Sequence, residues 1–216
     1  MGRMNTPAAH TEHPSAAPHA TGQDGAHHGV QEGRPSGGQD GVEVVVLLAE
    51  DGTPAGTEPK ATVHRHQDEG TPLHLAFSCH VYGPDGRFLL TRRALGKRAF
   101  PGVWTNGFCG HPGVDETPAE AVERRAVQEL GVPVHSVEPV LPDFRYRAVD
   151  AAGMEENEIC PVFRAQTHGD PAPVWDEVAE WEWVQVADLT AALAAVPVAF
   201  SPWLVQQWRQ GAFEDR

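Results

Sequence analysis

GHPGVDETPAEAVERRAVQELGV, residues 110–132, is a loop–helix–loop written in local signals. Thr117 is placed to act as N-cap, Pro118 takes the first helical position, and Glu120 completes a capping box. Ala119, Val122, Ala126, Val127 and Leu130 supply an apolar side, and Gly131 ends the helix. Gly110 is followed after five residues by Glu116, and after seven more by Arg124.

Working outward, residues 42–48 read as a strand, Asp51-Gly52-Thr53-Pro54 as a turn, and residues 73–82 as the next strand. Gly83-Pro84-Asp85-Gly86 then turns the chain into residues 88–91, the order of a hairpin. Residues 106–113 form a glycine-bearing loop ahead of the helix. Downstream, short strands are expected at 137–141, 144–149, 158–165 and 181–184, and helices at 186–195 and 202–210. The class is α+β, a mixed sheet core with flanking helices in a single domain over residues 42–216. Residues 1–41 differ in kind: they hold five His but no Ile, Leu, Phe, Trp or Tyr. Such a segment buries too little apolar surface to offset its ordering entropy, so it is expected to be a disordered tail. The irregular His spacing favours a solvated tail over a metal-binding one.

The 216 residues carry 16 Lys plus Arg against 30 Asp plus Glu, a formal charge of −14. That balance excludes a general nucleic-acid binder but not a small anion held by a few local cations. No run approaches the roughly 20 apolar residues that span a bilayer. Residues 1–20 contain no apolar core of a secretory signal. Three cysteines, Cys79, Cys109 and Cys160, form no close pair, which points to a reducing cytoplasm. The expectation is a cytoplasmic chain with no membrane partner, monomeric or weakly dimeric.

The spacing over 110–132 resembles the Nudix box, G-x5-E-x7-R-E-U-x-E-E-x-G-U with U apolar. In that family a loop–helix–loop sets helix carboxylates against a divalent cation on a diphosphate, and hard Mg²⁺ takes oxygen ligands. An ordinary amphipathic helix accounts for the charges but not for a 23-residue match with glycines at both ends. Arg125 and Gln128 stand where hydrolytic members carry Glu. A cation and a neutral amide cannot reproduce that carboxylate cluster, so a Nudix diphosphate hydrolase is the second reading.

Seven further segments, in order, resemble type I isopentenyl-diphosphate isomerase: LHLAFS (73–78), TRRAL (91–95), PGVWTN (101–106), CGHP (109–112), PDFRYR (142–147), ENEICP (156–161) and FSPW (200–203). The resemblance covers residues 42–208. It implies a Nudix-like fold, and an enzyme that interconverts isopentenyl and dimethylallyl diphosphate.

Glu156 and Glu158 are two apart, so on a strand both carboxylates face one way. Imidazoles with carboxylates suit Zn²⁺, Mn²⁺ or Fe²⁺ better than Ca²⁺. The family site of three His and two Glu falls on His74, His111, Glu156, Glu158 and one earlier His. KATVH (60–64) resembles the family segment and favours His64, although His66 competes because the stretch to His74 is longer than usual. The family's Mg²⁺ contact falls on Glu129, and its diphosphate-binding cations on Arg93, Lys97 and Arg125, with Arg92 and Arg98 as alternatives. Its acid–base pair falls on Cys109 and Glu158, with Tyr146 assisting proton transfer. Trp203 matches an aromatic whose π face stabilises a cation. His80 is left out as a hydrogen-bonded strand residue, Cys79 and Cys160 as core, and Trp104 as packing or pocket wall.

Overall fold

A computed structural model of the chain describes residues 42–213, and the expectation for residues 1–41 lies outside them. β1 (Val44–Leu48) pairs antiparallel with β2 (Pro54–Pro59), an exposed edge strand with Pro at both ends. The sequence does not signal β2, because an edge strand needs neither β-branched residues nor apolar alternation. A single helical turn, α1 (Lys60–Val63), follows and hands the chain to His64.

Residues 73–82, expected as one strand, are two: β3 (His74–Leu75) and β4 (Phe77–Tyr82). The split falls at Ala76, whose amide bonds to Ile159 O at 3.0 Å, while Ser78 N–H reaches Pro161 O at 3.1 Å. Residues 158–165 split in the same way, into β10 (Glu155–Ile159) and β11 (Val162–Gln166), around Cys160 and Pro161. Both segments are largely buried on either side of the break, so hydrophobic periodicity alone does not betray it. His74 and His80, from one apparent strand, accordingly lie on strands of different sheets.

The remaining strands are β5 (Phe88–Arg93), β6 (Trp104–Thr105), β7 (Phe108–Gly110), β8 (His135–Leu141), β9 (Arg145–Val149) and β12 (Val178–Val184). One sheet runs β2-β1-β3-β10-β9; the other runs β12-β5-β4-β11-β8, with β6 on β5 and β7 on β4. Two neighbouring segments therefore cross together from one sheet to the other. β3 lies parallel to β10 and, beyond the crossing, β4 lies parallel to β11. The expected hairpin is present where Tyr82 pairs with Phe88.

α2 (Pro118–Arg125) begins as its sequence specifies: Thr117 Oγ1 accepts from Glu120 N–H at 3.3 Å, and Glu120 Oε2 accepts from Thr117 N–H at 2.8 Å. The last five residues before Gly131, Ala126–Leu130, are π-helical. Such turns recur at functional sites. This one leaves Val127 55% exposed, against its expected place on the apolar side, and buries Glu129. Gly131 closes the helix at φ 69°, where a Cβ would come within 2.4 Å of Ala172 O. α3 (Val186–Ala195) and α4 (Pro202–Arg209) lie where expected. Trp203, Leu204 and Leu193 join Phe144 and Phe88 in one core, and a second core packs Phe77, Leu89 and Val122 beneath α2. No helix among the described residues is long and apolar enough to cross a membrane.

Candidate metal centre and active site

The sheet crossing brings the site together. On β10, Glu158 is in register with His74 on β3 and with Tyr146 on β9. Directly opposed residues share a face, so three functional side chains stand in a row across three strands. His64 arrives from the end of α1, and His111 from the loop after β7.

Their ring nitrogens converge on one carboxylate oxygen. Glu158 Oε1 lies 3.3 Å from His74 Nε2, 3.5 Å from His111 Nε2 and 4.0 Å from His64 Nε2. Glu156 Oε2 lies 2.8 Å from His64 Nε2. One ligand atom from each of His64, His74, His111 and Glu158 falls within 4.8 Å of the others. The three Nε2 atoms and Glu156 Oε2 are buried without a hydrogen-bond partner, an expensive arrangement that a divalent cation among them relieves. His74 donates from Nδ1 to Pro72 O at 2.9 Å, which leaves the Nε2 lone pair free to ligate. The buried His/Glu cluster is thus compatible with a divalent metal.

His66 takes no part. Its ring is half exposed, pairs with Asp68 at 3.2 Å, and packs where a Cβ on Gly153 would lie 2.2 Å from Nε2.

A cavity of about 390 Å³ opens beside the cluster. Cys109, Tyr146, Trp203, Arg93, Lys97 and Arg125 all line it, together with His64, His111, Glu156 and Glu158 of the cluster. Burial pushes the Cys109 thiol up to about 11, although Ser78, Asn106 and Arg93 pull the other way, so it holds its proton at neutral pH. Burial works to raise Glu158 as well, but the close approach of the His111, His64 and His74 imidazoles wins and holds it well below the usual carboxylate range. Tyr146 is raised by burial and by Glu158 and Glu156, and stays a phenol. Two groups on one cavity are therefore shifted in opposite directions, Cys109 up and Glu158 down.

The thiol state makes a direct prediction. Alkylation of Cys109 by iodoacetamide in the metal-free protein, followed by mass spectrometry, is expected to be slow at pH 7.5 and to accelerate up to about pH 11, as burial disfavours the thiolate. A rate that levels off near pH 8.5, the ordinary cysteine value, would contradict it.

Arg125 shows why the box departs from the hydrolase pattern. Its Nε donates to Glu129 Oε1 at 2.7 Å, and its other nitrogens reach Glu43 at 3.2 Å and Glu177 at 3.7 Å. Burial opposes its charge, but these carboxylates, Glu129 first, hold its pKa above the usual value. Lys97 is ion-paired with Glu177. Glu129 is buried against Arg125 and is not part of the cavity lining. Arg93 donates to Ala99 O at 2.9 Å, keeps Nε buried and unpartnered, and sets its guanidinium 5.4 Å from the Trp203 ring centre.

Sequence reasoning missed Asn106, Lys60 and the two outer carboxylates. Fully buried Asn106 donates to Cys79 O and Phe108 O at 3.0 and 2.9 Å, and accepts from Trp203 Nε1 at 3.0 Å. It ties the Cys109 strand to α4. Asn within a glycine-bearing loop was the available signal, but it reads equally as a turn residue. Lys60 lines the cavity and pairs with Glu43 at 3.0 Å; nothing in its local sequence sets it apart. Of the excluded residues, Cys79 and Cys160 are indeed core, and His80 is buried with Nε2 2.9 Å from Gln207 Oε1.

Residues 72–204 match the NUDIX domain family. An isopentenyl-diphosphate Delta-isomerase of Clavibacter sepedonicus is 62% identical over 168 residues, covering 77% of this chain and 86% of that protein. One of Kocuria rhizophila is 56% identical over 173 residues, covering 80% and 94%. Among solved structures, DR0079 from Deinococcus radiodurans superposes with a TM-score of 0.60 at 19% identity, over 78% of this chain and 98% of that one. At that identity the superposition speaks for the fold alone. The split-sheet core, the capped loop–helix–loop and the relatives agree: the chain belongs to the isopentenyl-diphosphate Delta-isomerase family and is built on a NUDIX domain.

Proposed function

We propose that this cavity interconverts isopentenyl and dimethylallyl diphosphate by protonation and deprotonation through a tertiary carbocation. The observation that carries the reading is the placement of Cys109 and Glu158 on one cavity, the thiol beside Ser78 and Asn106 and the carboxylate among the three histidines. Moving an unactivated double bond needs a proton given at one end of a three-carbon unit and another taken at the far end. A loaded thiol and an empty carboxylate meet that need, and their occupancies exchange when the reaction runs backwards. Tyr146, beside Glu158 across the strand pair, is placed to relay or steady the proton there. Trp203 forms the wall around the developing cation and keeps water from it, with the Phe100 ring packed edge to face against it. The Trp203 face already has a guanidinium over it, which supports a cation-stabilising role.

Arg93, Lys97 and Arg125 are assigned to the diphosphate, Arg93 by a fork of donors and Lys97 as a point charge. Mn²⁺ or Zn²⁺ suits His64, His74, His111, Glu156 and Glu158, and Mg²⁺ would sit with the diphosphate at Glu129, neutralising its charge. For that, Glu129 must exchange Arg125 for the cation while Arg125 turns to phosphate. The free thiols fit a cytoplasmic location, and we assign the chain a monomeric or weakly dimeric state.

Proton NMR of isopentenyl diphosphate with purified protein, Mg²⁺ and Mn²⁺ or Zn²⁺ in D₂O tests the reaction. The dimethylvinyl pattern with incorporated deuterium is expected. Released phosphate with an intact olefin would turn the reading to a hydrolase. The metal site has its own check. His64→Ala is expected to lose one equivalent of Mn²⁺ or Zn²⁺ by elemental analysis, and His66→Ala to lose none; equal content in both variants would remove His64 from the ligand set.

A further inference from the structure

Asp150 lies in the turn between β9 and β10 and is not itself part of the cavity lining, yet it reaches across to the loop that follows the lining residues Lys97, Arg98 and Ala99. Its Oδ1 accepts the amides of Ala152 and Met154 at 2.8 and 2.9 Å, which shapes the turn. Its Oδ2 accepts the amide of Phe100 at 3.0 Å. Phe100 sits at φ 50°, a left-handed backbone that a bulky residue adopts only when its surroundings impose it. Two groups follow from that constraint. The Phe100 ring meets Trp203 edge to face at 5.3 Å between centres. The neighbouring Ala99 carbonyl takes the Arg93 guanidinium at 2.9 Å.

We propose that Asp150 is a positioning residue for the isomerisation: by holding Phe100 in its left-handed conformation it sets both the Trp203 wall and the Arg93 guanidinium. The same carboxylate shapes the turn that starts the Glu156–Glu158 strand, so one side chain keeps the metal-bearing strand and the cation wall in a fixed relation. Acting through other residues, it touches no substrate. The inference rests on the isomerase reading of the cavity, and wild-type turnover in the same assay separates failure of that reading from failure of this one.

The informative variant is Asp150→Asn. Its remaining oxygen can keep the two turn amides, while an NH₂ group faces Phe100 N–H and the bond across the cavity wall is lost. With wild-type turnover established, kcat is expected to fall at least tenfold, with the metal content unchanged and the melting temperature nearly so. In a Trp203→Leu background the same change is expected to cost clearly less than in the wild type, leaving only the share that acts through Arg93, because the wall it positions is already gone. A purely structural role would add its full loss in both backgrounds. Phe100→Leu leaves every Asp150 bond in place and removes the ring from Trp203; it too is expected to lower kcat, and it decides the matter if Asp150→Asn does not fold. Wild-type kcat in Asp150→Asn or in Phe100→Leu, or an undiminished loss in the Trp203→Leu background, overturns the proposal.

Discussion

Glu158→Gln is expected to abolish measurable turnover and to empty the His/Glu site in the same step. Glu158 Oε1 is the point on which three imidazoles converge, and in the proposed reaction the same carboxylate also serves in the proton-transfer pair. A neutral amide cannot take the proton, and removing an acid–base group costs about 10²–10⁴ in rate. It also withdraws the negative charge from the metal cluster. Loss of an outer-shell partner alone weakens metal binding about 10–100-fold, so loss of this ligand should reach at least the upper figure. The checks are kcat from the NMR assay and metal affinity by competition with a chelator. A variant that keeps its metal and more than about a tenth of wild-type kcat would remove Glu158 from the acid–base pair.

Cys109→Ala is expected to give the complementary result: a loss of about a thousandfold in kcat with metal content unchanged. The thiol lines the cavity, and its hydrogen-bond neighbours are Ser78 Oγ at 3.4 Å and the Asn106 side chain. Cutting a partly buried Cys back to Ala leaves only a small void, so the protein should remain folded and still bind the diphosphate, with KM little changed. The two substitutions together separate chemistry from assembly: one removes activity with the metal, the other removes activity alone. If Cys109→Ala retains turnover, the proton must be carried by another group on the cavity, and Tyr146 is the nearest candidate by its place beside Glu158.

Local chemistry was readable wherever it was written in neighbouring residues. Thr117, Pro118, Glu120 and Gly131 specify the start and end of α2 through caps and a left-handed terminus, and these appear as read. The α3 and α4 helices follow from their own apolar patterns. The family resemblance over residues 42–208 points to a set of site side chains, and all of them but Glu129 stand on the cavity or in the cluster beside it.

Other features depend on contacts between distant parts of the chain. Runs 73–82 and 158–165 look continuous because each is largely buried on both sides of its break; only the crossing between two sheets shows that each is two strands. That crossing fixes the register of Glu158 against both His74 and Tyr146, which a period-two pattern cannot reveal for residues 84 and 12 positions apart in sequence. The choice between His64 and His66 was open in sequence and is separated by position: one ends α1 at the cluster, the other packs over Gly153. Arg125 and Glu129 were separable roles on paper and form one buried pair in space, ringed by Glu43 and Glu177 from distant loops. Sequence by itself determined the residue types, the capped helix and the family. Tertiary structure decided which side chains share an environment, and with it the opposite shifts of Cys109 and Glu158, because burial and the approach of other charges act through space and leave no mark on the residues nearby in the chain.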